Sequence, residues 1–303
     1  DVHSNVNVLG KSQKSNVVST NLVNNEEYGG GTILVANLLS EFINRVDILS
    51  FSNNFNNKIL KKHLNKKINI QKVFSNDEKI IIKKRFVDNY NKSKLFQINE
   101  NEKSNLSLKS KKLYLAKLKK IIKNYDQIIV FDYGYGHLFD KCIKLLENNF
   151  KKVFVNCQTN SSNYGFNLLT KYKKANIACV DEIEFRLSVG SKYEDIRSLI
   201  KKNTKLISRY GLFVITTGSR GCYVCKNNKT YFAPTVFKNL FDTTGCGDIF
   251  FSTFLFFVEL KVFTIEEIIL LSHIAAGMHG SKFGNENLIN RENFFQKIQT
   301  IIK

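Results

Sequence analysis

The sequence predicts an α/β fold: a parallel sheet with helices on both faces and a small antiparallel sheet beside it. From about residue 126 onward, short β-rich runs alternate with helical ones, the pattern that crossover helices between parallel strands produce. Three earlier segments, at 16–22, 78–87 and 94–99, are strand-like but half polar and break that alternation. The longest apolar run, 249–260, falls short of the roughly 20 residues that span a bilayer, so it is expected as a buried core helix and no membrane contact is expected.

Taken in order, NVVSTNL (16–22), EKIIIKKRFV (78–87) and KLFQIN (94–99) are read as lid strands, spanning about 16–28 and 78–99. No repeat or Pro/Gly linker separates them from the rest, so one domain over 1–303 is expected, with the lid as an insertion. A helix follows near 106–123, where Leu115, Leu118, Ile122 and Tyr125 recur at helical spacing and Lys117, Lys119, Lys120 and Lys123 form a wet face. Then come strand QIIVF, helix HLFDKCIKLLENN, strand KVFVN, a polar loop, strand NIACV, a helical stretch and strand LFVIT. GCYVCKNNKTYFA reads as a hairpin in which Cys222 and Cys225, three apart, point to opposite faces and share neither a disulfide nor a metal. The aromatic run FFSTFLFF is core packing, and TIEEIILLSHIAAGMHG opens with Thr264 and Glu267 in capping-box spacing.

The formal charge of +20 raises nucleic acid as a partner, but the lysines are spread along most of the chain among Asn and Ile. A solvated basic surface that attracts anionic small molecules is the better reading. The six cysteines form no regular framework, which points to a reducing compartment and a cytoplasmic location. No leader of basic and then apolar residues is seen, and the first residue, Asp1, is not Met, so a fragment or processed product is expected.

In open α/β sheets ligands bind beyond the carboxyl ends of the strands. Four polar loops stand there: DYGYG (132–136), CQTNSSN (157–163), DEIE (181–184) and TGSRG (217–221). A fifth stretch, DTTGCGD (242–248), opens the apolar helix. Its glycines permit a tight turn, and the amides of Gly245, Cys246 and Gly247 would converge at a helix N-terminus, where an anion is stabilised. Asp248, in the first turn, is placed either to take a proton from an attacking hydroxyl or simply to satisfy the helix dipole. A thiol at Cys246 beside that N-terminus is expected to have a lowered pKa and to be oxidation-sensitive. His137 lies in no H-x-G-H motif, and His273 and His279 have no acidic or Cys cluster near them in sequence. TGSRG lacks the G-K-[ST] of a P-loop.

DTTGCGD resembles the D-T-x-G-A-G-D signature of the ribokinase-like (PfkB) carbohydrate kinases, with Cys246 for Ala. YGGGTILVANLLSEF (28–42) resembles the family's sugar-facing Gly-Gly segment, TGSRG its T-x-G-x-x-G nucleotide loop, and DEIE stands where the family has N-x-x-E. DYGYG, NCQTNSSNYGFN and RFVDNYNKSKLF look nearest to the branch related to the kinase half of ADP-heptose synthase, which includes kinase domains fused to a nucleotidyltransferase.

The resemblance implies a three-layer αβα sandwich with a β lid and an ATP- and Mg²⁺-dependent sugar or sugar-phosphate kinase. It implies Asp248 as base and Gly245, Cys246 and Gly247 as anion hole. Thr217, Gly218, Gly221 and Asp242 then serve the nucleotide, Asp181 and Glu184 the Mg²⁺, and Asp1, Gly30, Gly31, Arg85 and Gln158 the substrate. It also places Asp1 at the end of a first strand that this chain lacks.

Three departures from the family stand out: Asp181 for Asn, Leu34 for a sugar-binding Asn, and Gln158 for Lys. Lys83 and Arg85, alternating onto one lid face, either replace the lost positive charge or act as edge-strand charges. The departures keep a pseudokinase or nucleotide- or sugar-binding module as the competing reading, with a nucleic-acid binder behind it. Exposed lid edges lead to the expectation of a homodimer through the lid.

Overall fold

The computed structural model describes residues 1–102, 106–149, 152–237, 239–284 and 289–302. In chain order the strands are β1 (Val2–Lys11), β2 (Val18–Glu27), β3 (Asp47–Ser52), β4 (Asn69–Phe74), β5 (Ile82–Asp88), β6 (Lys94–Glu100), β7 (Ile128–Asp132), β8 (Val153–Cys157), β9 (Ala175–Asp181), β10 (Tyr210–Thr216), β11 (Cys222–Lys226) and β12 (Lys229–Ala233). The helices are α1 (Gly31–Ser40), α2 (Asn54–His63), α3 (Leu108–Ile121), α4 (Asp140–Asn149), α5 (Glu182–Val189), α6 (Ile196–Lys202), α7 (Thr204–Ile207), α8 (Cys246–Leu260), α9 (Ile265–Gly280) and α10 (Arg291–Ile302).

The main sheet runs in the order β12-β11-β10-β9-β8-β7. Strands β7 to β10 are parallel, and the β11–β12 hairpin continues the sheet antiparallel. Because side chains alternate along a strand, each central strand feeds two cores. Phe213 and Ile215 of β10 pack with Val155, Ala178, Leu118 and Ile143 on the α3–α4 side, whereas Leu212 and Val214 pack with Phe154, Ile177, Phe251 and Ile269 on the α8–α9 side. Cys222 and Cys225 fall in opposite cores, as their three-residue spacing requires. The run at 249–260 lies inside α8, with Phe250, Phe251, Phe254 and Phe257 all buried. Among the described residues, no helix is long and apolar enough to cross a membrane.

A second sheet, in the order β2-β1-β5-β6, supplies the lid. Its strands β2, β5 and β6 lie in the stretches that read as strand-like, but β1 does not emerge from the sequence. The reason is polar burial: His3, Ser4 and Asn5 in β1 are all almost fully enclosed. Ser4 Oγ donates to Asn25 Oδ1 at 2.6 Å and Asn5 Nδ2 to Asn24 Oδ1 at 2.7 Å, so polar cross-strand pairs join β1 to β2 where alternation would call for apolar ones. Strands β3 and β4 form a separate parallel pair. A cavity of about 1520 Å³ is lined by residues of β3 and β7, among them Ile48, Phe51, Ile129 and Phe131, and opens to the amino end of α8 at Asp248.

Candidate active site

The carboxyl ends of β7 to β10 carry the polar loops, and the start of α8 faces them. Gly245, the residue preceding α8, has φ +80°, a left-handed conformation that glycine adopts without strain. A Cβ there would also meet Leu34 Cδ2 at 2.8 Å and His279 Nε2 at 3.0 Å. The Cys246 amide donates to Thr243 O at 3.2 Å and closes the turn. Amides of the first helical turn have no partner inside the helix, so that of Gly247 is directed beyond the end of α8. His279 Nε2 lies 2.9 Å from Thr244 O, so this α9 histidine braces the loop.

Asp248 is 7% exposed, and burial lifts its carboxyl from the ordinary 3.8 to about 6. Contacts from Gln158 and Tyr133 and the charge of Lys83 pull the other way and keep the rise moderate. Gln158 Nε2 donates to Asp248 Oδ1 at 2.5 Å and also reaches Asn156 Oδ1 at 2.5 Å. Gln158 therefore touches the Asp248 carboxylate itself. Gly31 is demanded by close approach: a Cβ there would sit 2.1 Å from the Tyr133 hydroxyl and 2.5 Å from Asp248 Oδ2.

Around this carboxylate the cavity wall includes Asp1, Gly30, Gly31, Lys83, Arg85 and Asn160. Arg85 Nη1 lies 3.1 Å from Asp1 Oδ1, and the Asp1 amino group donates to Tyr28 O at 3.0 Å. Desolvation, and for Lys83 the neighbouring charge of Arg85, lowers the pKa of both cations. Lys83 Nζ stands 5.9 Å from the Tyr135 ring centroid, and the Tyr135 hydroxyl is buried without a hydrogen-bond partner. Leu34 is buried and contributes an apolar patch to the same wall.

Asp181, Glu184, Thr217, Gly218 and Gly221 lie outside that cavity, along the ends of β9 and β10, where Asp181 and Thr216 are register partners. Thr217 N and Oγ1 both donate to Gly221 O at 2.8 Å, and Gly218 (φ +58°) and Gly221 (φ +125°) take positive φ, which makes a tight loop. Asp181 caps α5 in a capping box with Glu184. Glu184 accepts from Asp181 N at 2.7 Å and from Thr159 N at 2.9 Å. Burial, with the charge of Asp181 next, pushes the Glu184 carboxyl up to about 8. Among the described residues no group of three or more His, Cys, Asp or Glu could hold a metal. Two acidic side chains with an unmet charge fit a Mg²⁺ that keeps several waters and takes its other oxygens from phosphate.

The Asp242 carboxylate accepts from Lys94 Nζ at 2.6 Å and Thr244 N at 2.9 Å. Cys246 departs from its sequence expectation. Its half-buried thiol donates to Asp242 O and Ala276 O, and desolvation, aided by the charges of Asp242 and Asp248, pushes it up to about 12 instead of down. The sequence marks the DYGYG loop without singling out Tyr133 or Tyr135, and it shows Lys94 only within the KLFQIN and RFVDNYNKSKLF stretches, with no role of its own.

A sequence profile described as pfkB family carbohydrate kinase matches residues 4–277. The Bifunctional protein HldE of Haemophilus influenzae (strain PittEE) is 31% identical over 179 residues, 57% of this chain and 36% of that protein. The protein of the same name from Aliarcobacter butzleri is 28% identical over 271 residues, 84% of this chain and 53% of that protein. The chain thus spans about a third to a half of these relatives. Phosphofructokinase-2 from Escherichia coli in complex with potassium superposes with TM-score 0.73 at 10% identity, covering 100% of this chain and 96% of that one. Arabidopsis thaliana ribokinase complexed with ribose and ATP does so with TM-score 0.70 at 12% identity, covering 99% and 95%. At such identities the superpositions show the fold: a ribokinase-like three-layer sandwich with a β lid.

Proposed function

The chain belongs to the pfkB family of carbohydrate kinases, and we propose that it moves the γ-phosphoryl group of ATP to a hydroxyl of a phosphorylated sugar with Asp248 as general base. The observation that carries this reading is a desolvated carboxylate, held by Gln158, facing a large cavity at the amino end of α8. A carboxyl near 6 is ionised at neutral pH yet basic enough to accept a proton as the acceptor hydroxyl attacks. The hydroxyl oxygen bonds to the γ-phosphorus, the bond from that phosphorus to the β–γ bridging oxygen breaks, ADP leaves, and the hydroxyl proton ends on Asp248. Amides of the α8 first turn, with the helix dipole behind them, stabilise the charge on the transferring group.

Asp181 and Glu184 would hold Mg²⁺, which when bound offsets phosphate charge. Thr217, Gly218 and Gly221 frame the nucleotide, and Gly30 and Gly31 let the sugar approach the base. Lys83 and Arg85, half-buried and positive at the cavity wall, favour an acceptor that carries its own phosphate, with Asp1 holding Arg85 in place. We read the lid as an insertion in one kinase domain working in a reducing, cytoplasmic compartment, which the six free thiols support. Leu22, Phe96 and Ile98, all exposed on the lid, support self-association there.

A coupled ADP-release assay over free pentoses, free hexoses and their phosphates, with heptose 7-phosphate included, tests the reading. Release that depends on a phosphorylated sugar is the expected outcome. Release with free sugars alone overturns the substrate class, and nucleotide binding without any sugar-dependent release overturns phosphoryl transfer in favour of a binding module.

A further inference from the structure

Strand β6 pairs with β5 through a register shift: Phe86 faces Phe96, but the next pair is Val87 with Lys94, so Leu95 is extra. A bulge of this kind turns every following side chain to the other face. Without it Val87 would face Leu95, and Lys94 would lie on the outer side with the exposed Phe96 and Ile98. With it, Lys94 joins Lys83, Arg85 and Val87 on the inner face of the lid.

The side chain then reaches the DTTGCGD loop. Lys94 Nζ donates to Asp242 Oδ1 at 2.6 Å and to Thr244 Oγ1 at 2.5 Å, and stands 5.9 Å from the Phe283 ring centroid. Asp242 is nearly enclosed, with 3% of its side chain exposed, and this partner together with the Thr244 amide holds its carboxyl down at about 2 despite burial. Gly284 N adds a third donor to the carboxylate at 3.3 Å. One ammonium from the lid thus neutralises the buried charge on which the turn before α8 is built, three residues before the glycine that shapes the amide donors.

We propose that Lys94 is a positioning residue that couples the lid to the anion-binding loop, setting the amides at the start of α8 for phosphate while β6 is docked. The proposal rests on the phosphoryl-transfer reading of that loop. Removing the ammonium leaves Asp242 as an uncompensated negative charge close to the transferring group, which weakens the transition state more than the ground state.

The test compares wild type with Lys94→Ala and Lys94→Arg, each first shown by circular dichroism to be folded. Two readouts are taken: the split of kcat from KM for the sugar, and the affinity for ADP alone against ADP with fluoroaluminate, a mimic of the transferring phosphoryl group. Lys94→Ala is expected to lower kcat about 10- to 100-fold, the range for a lost charge-assisted hydrogen bond, with sugar KM little changed. Its ADP affinity stays put while the tightening by fluoroaluminate is lost, and Lys94→Arg recovers part of both. If Lys94→Ala tightens on fluoroaluminate like wild type, or loses only sugar KM, the coupling is refuted and phosphoryl transfer stands. If wild type itself shows no tightening, the loop does not bind a transferring phosphoryl group and both readings fall.

Discussion

Replacing Asp248 by Asn separates two effects of one buried carboxylate. Turnover should fall by roughly 10² to 10⁴, the range for losing a positioned general base. Stability should move the other way. The group's pKa is higher folded than unfolded, so its contribution is fully present below 3.8 and is lost as pH rises through about 6. That interval, at about 1.4 kcal/mol for each pH unit, makes the ionised form about 3 kcal/mol harder to hold in the fold at pH 8 and only about 1 kcal/mol at pH 4.5. Asn does not titrate, so the stability of the variant relative to wild type should be about 2 kcal/mol more favourable at pH 8 than at pH 4.5. Urea unfolding of both proteins at the two pH values measures it, and the comparison cancels the intrinsic difference between Asn and protonated Asp. A variant-to-wild-type difference that is the same at both pH values would refute the desolvation argument, and near-normal turnover would refute the base.

Gln158→Leu removes a donor from the ionised Asp248, so the acid limb of the kcat/KM profile should move up by about one pH unit; an unmoved limb means that Gln158 does not support the charge. Gly31→Ala drives a methyl to 2.1 Å from the Tyr133 hydroxyl and 2.5 Å from Asp248 Oδ2. Displacing the base should lower kcat/KM about 100-fold, and steady-state kinetics on the folded variant would show it. Glu184→Gln keeps an acceptor for the Asp181 amide of the capping box but loses the one for Thr159 N and removes the ionisable group, and the Mg²⁺ concentration for half-maximal activity should rise about tenfold. A magnesium titration showing no change would remove Glu184 from the metal site.

What could be read from the sequence was whatever one contiguous stretch determines. DTTGCGD declares its own geometry because a left-handed turn needs a glycine at 245 and the residues after it must begin a helix. Strand 210–216 was visible because a strand buried on both faces reads as an unbroken apolar run. Strand β1 was hidden by the opposite circumstance, since its enclosed positions are His, Ser and Asn, whose burial depends on partners in β2. Gln158 was visible as a loop residue, but the group it contacts lies 90 residues further on. Lys94 looked like the first residue of an ordinary strand, and its aim is set by a single unpaired residue in a ladder, which no residue type announces.

The same contacts explain how the proposed site can combine four acidic side chains with a phosphate-bearing ligand. Each is handled according to what it must do. Asp242 only has to hold a turn, so a full positive charge at 2.6 Å suits it and keeps it ionised down to about 2. Asp248, as the proposed base, would accept a proton, and an ammonium in the place of the Gln158 amide would hold it equally low and make it a poor base. A neutral donor orients the carboxylate while leaving it near 6. Asp181 and Glu184 are left with repulsion between them, which a cation arriving with the nucleotide would relieve. On the proposed function, charge compensation is therefore fixed where the group is structural, replaced by an amide where the group would act as base, and left to the incoming ligand where the group would hold a metal.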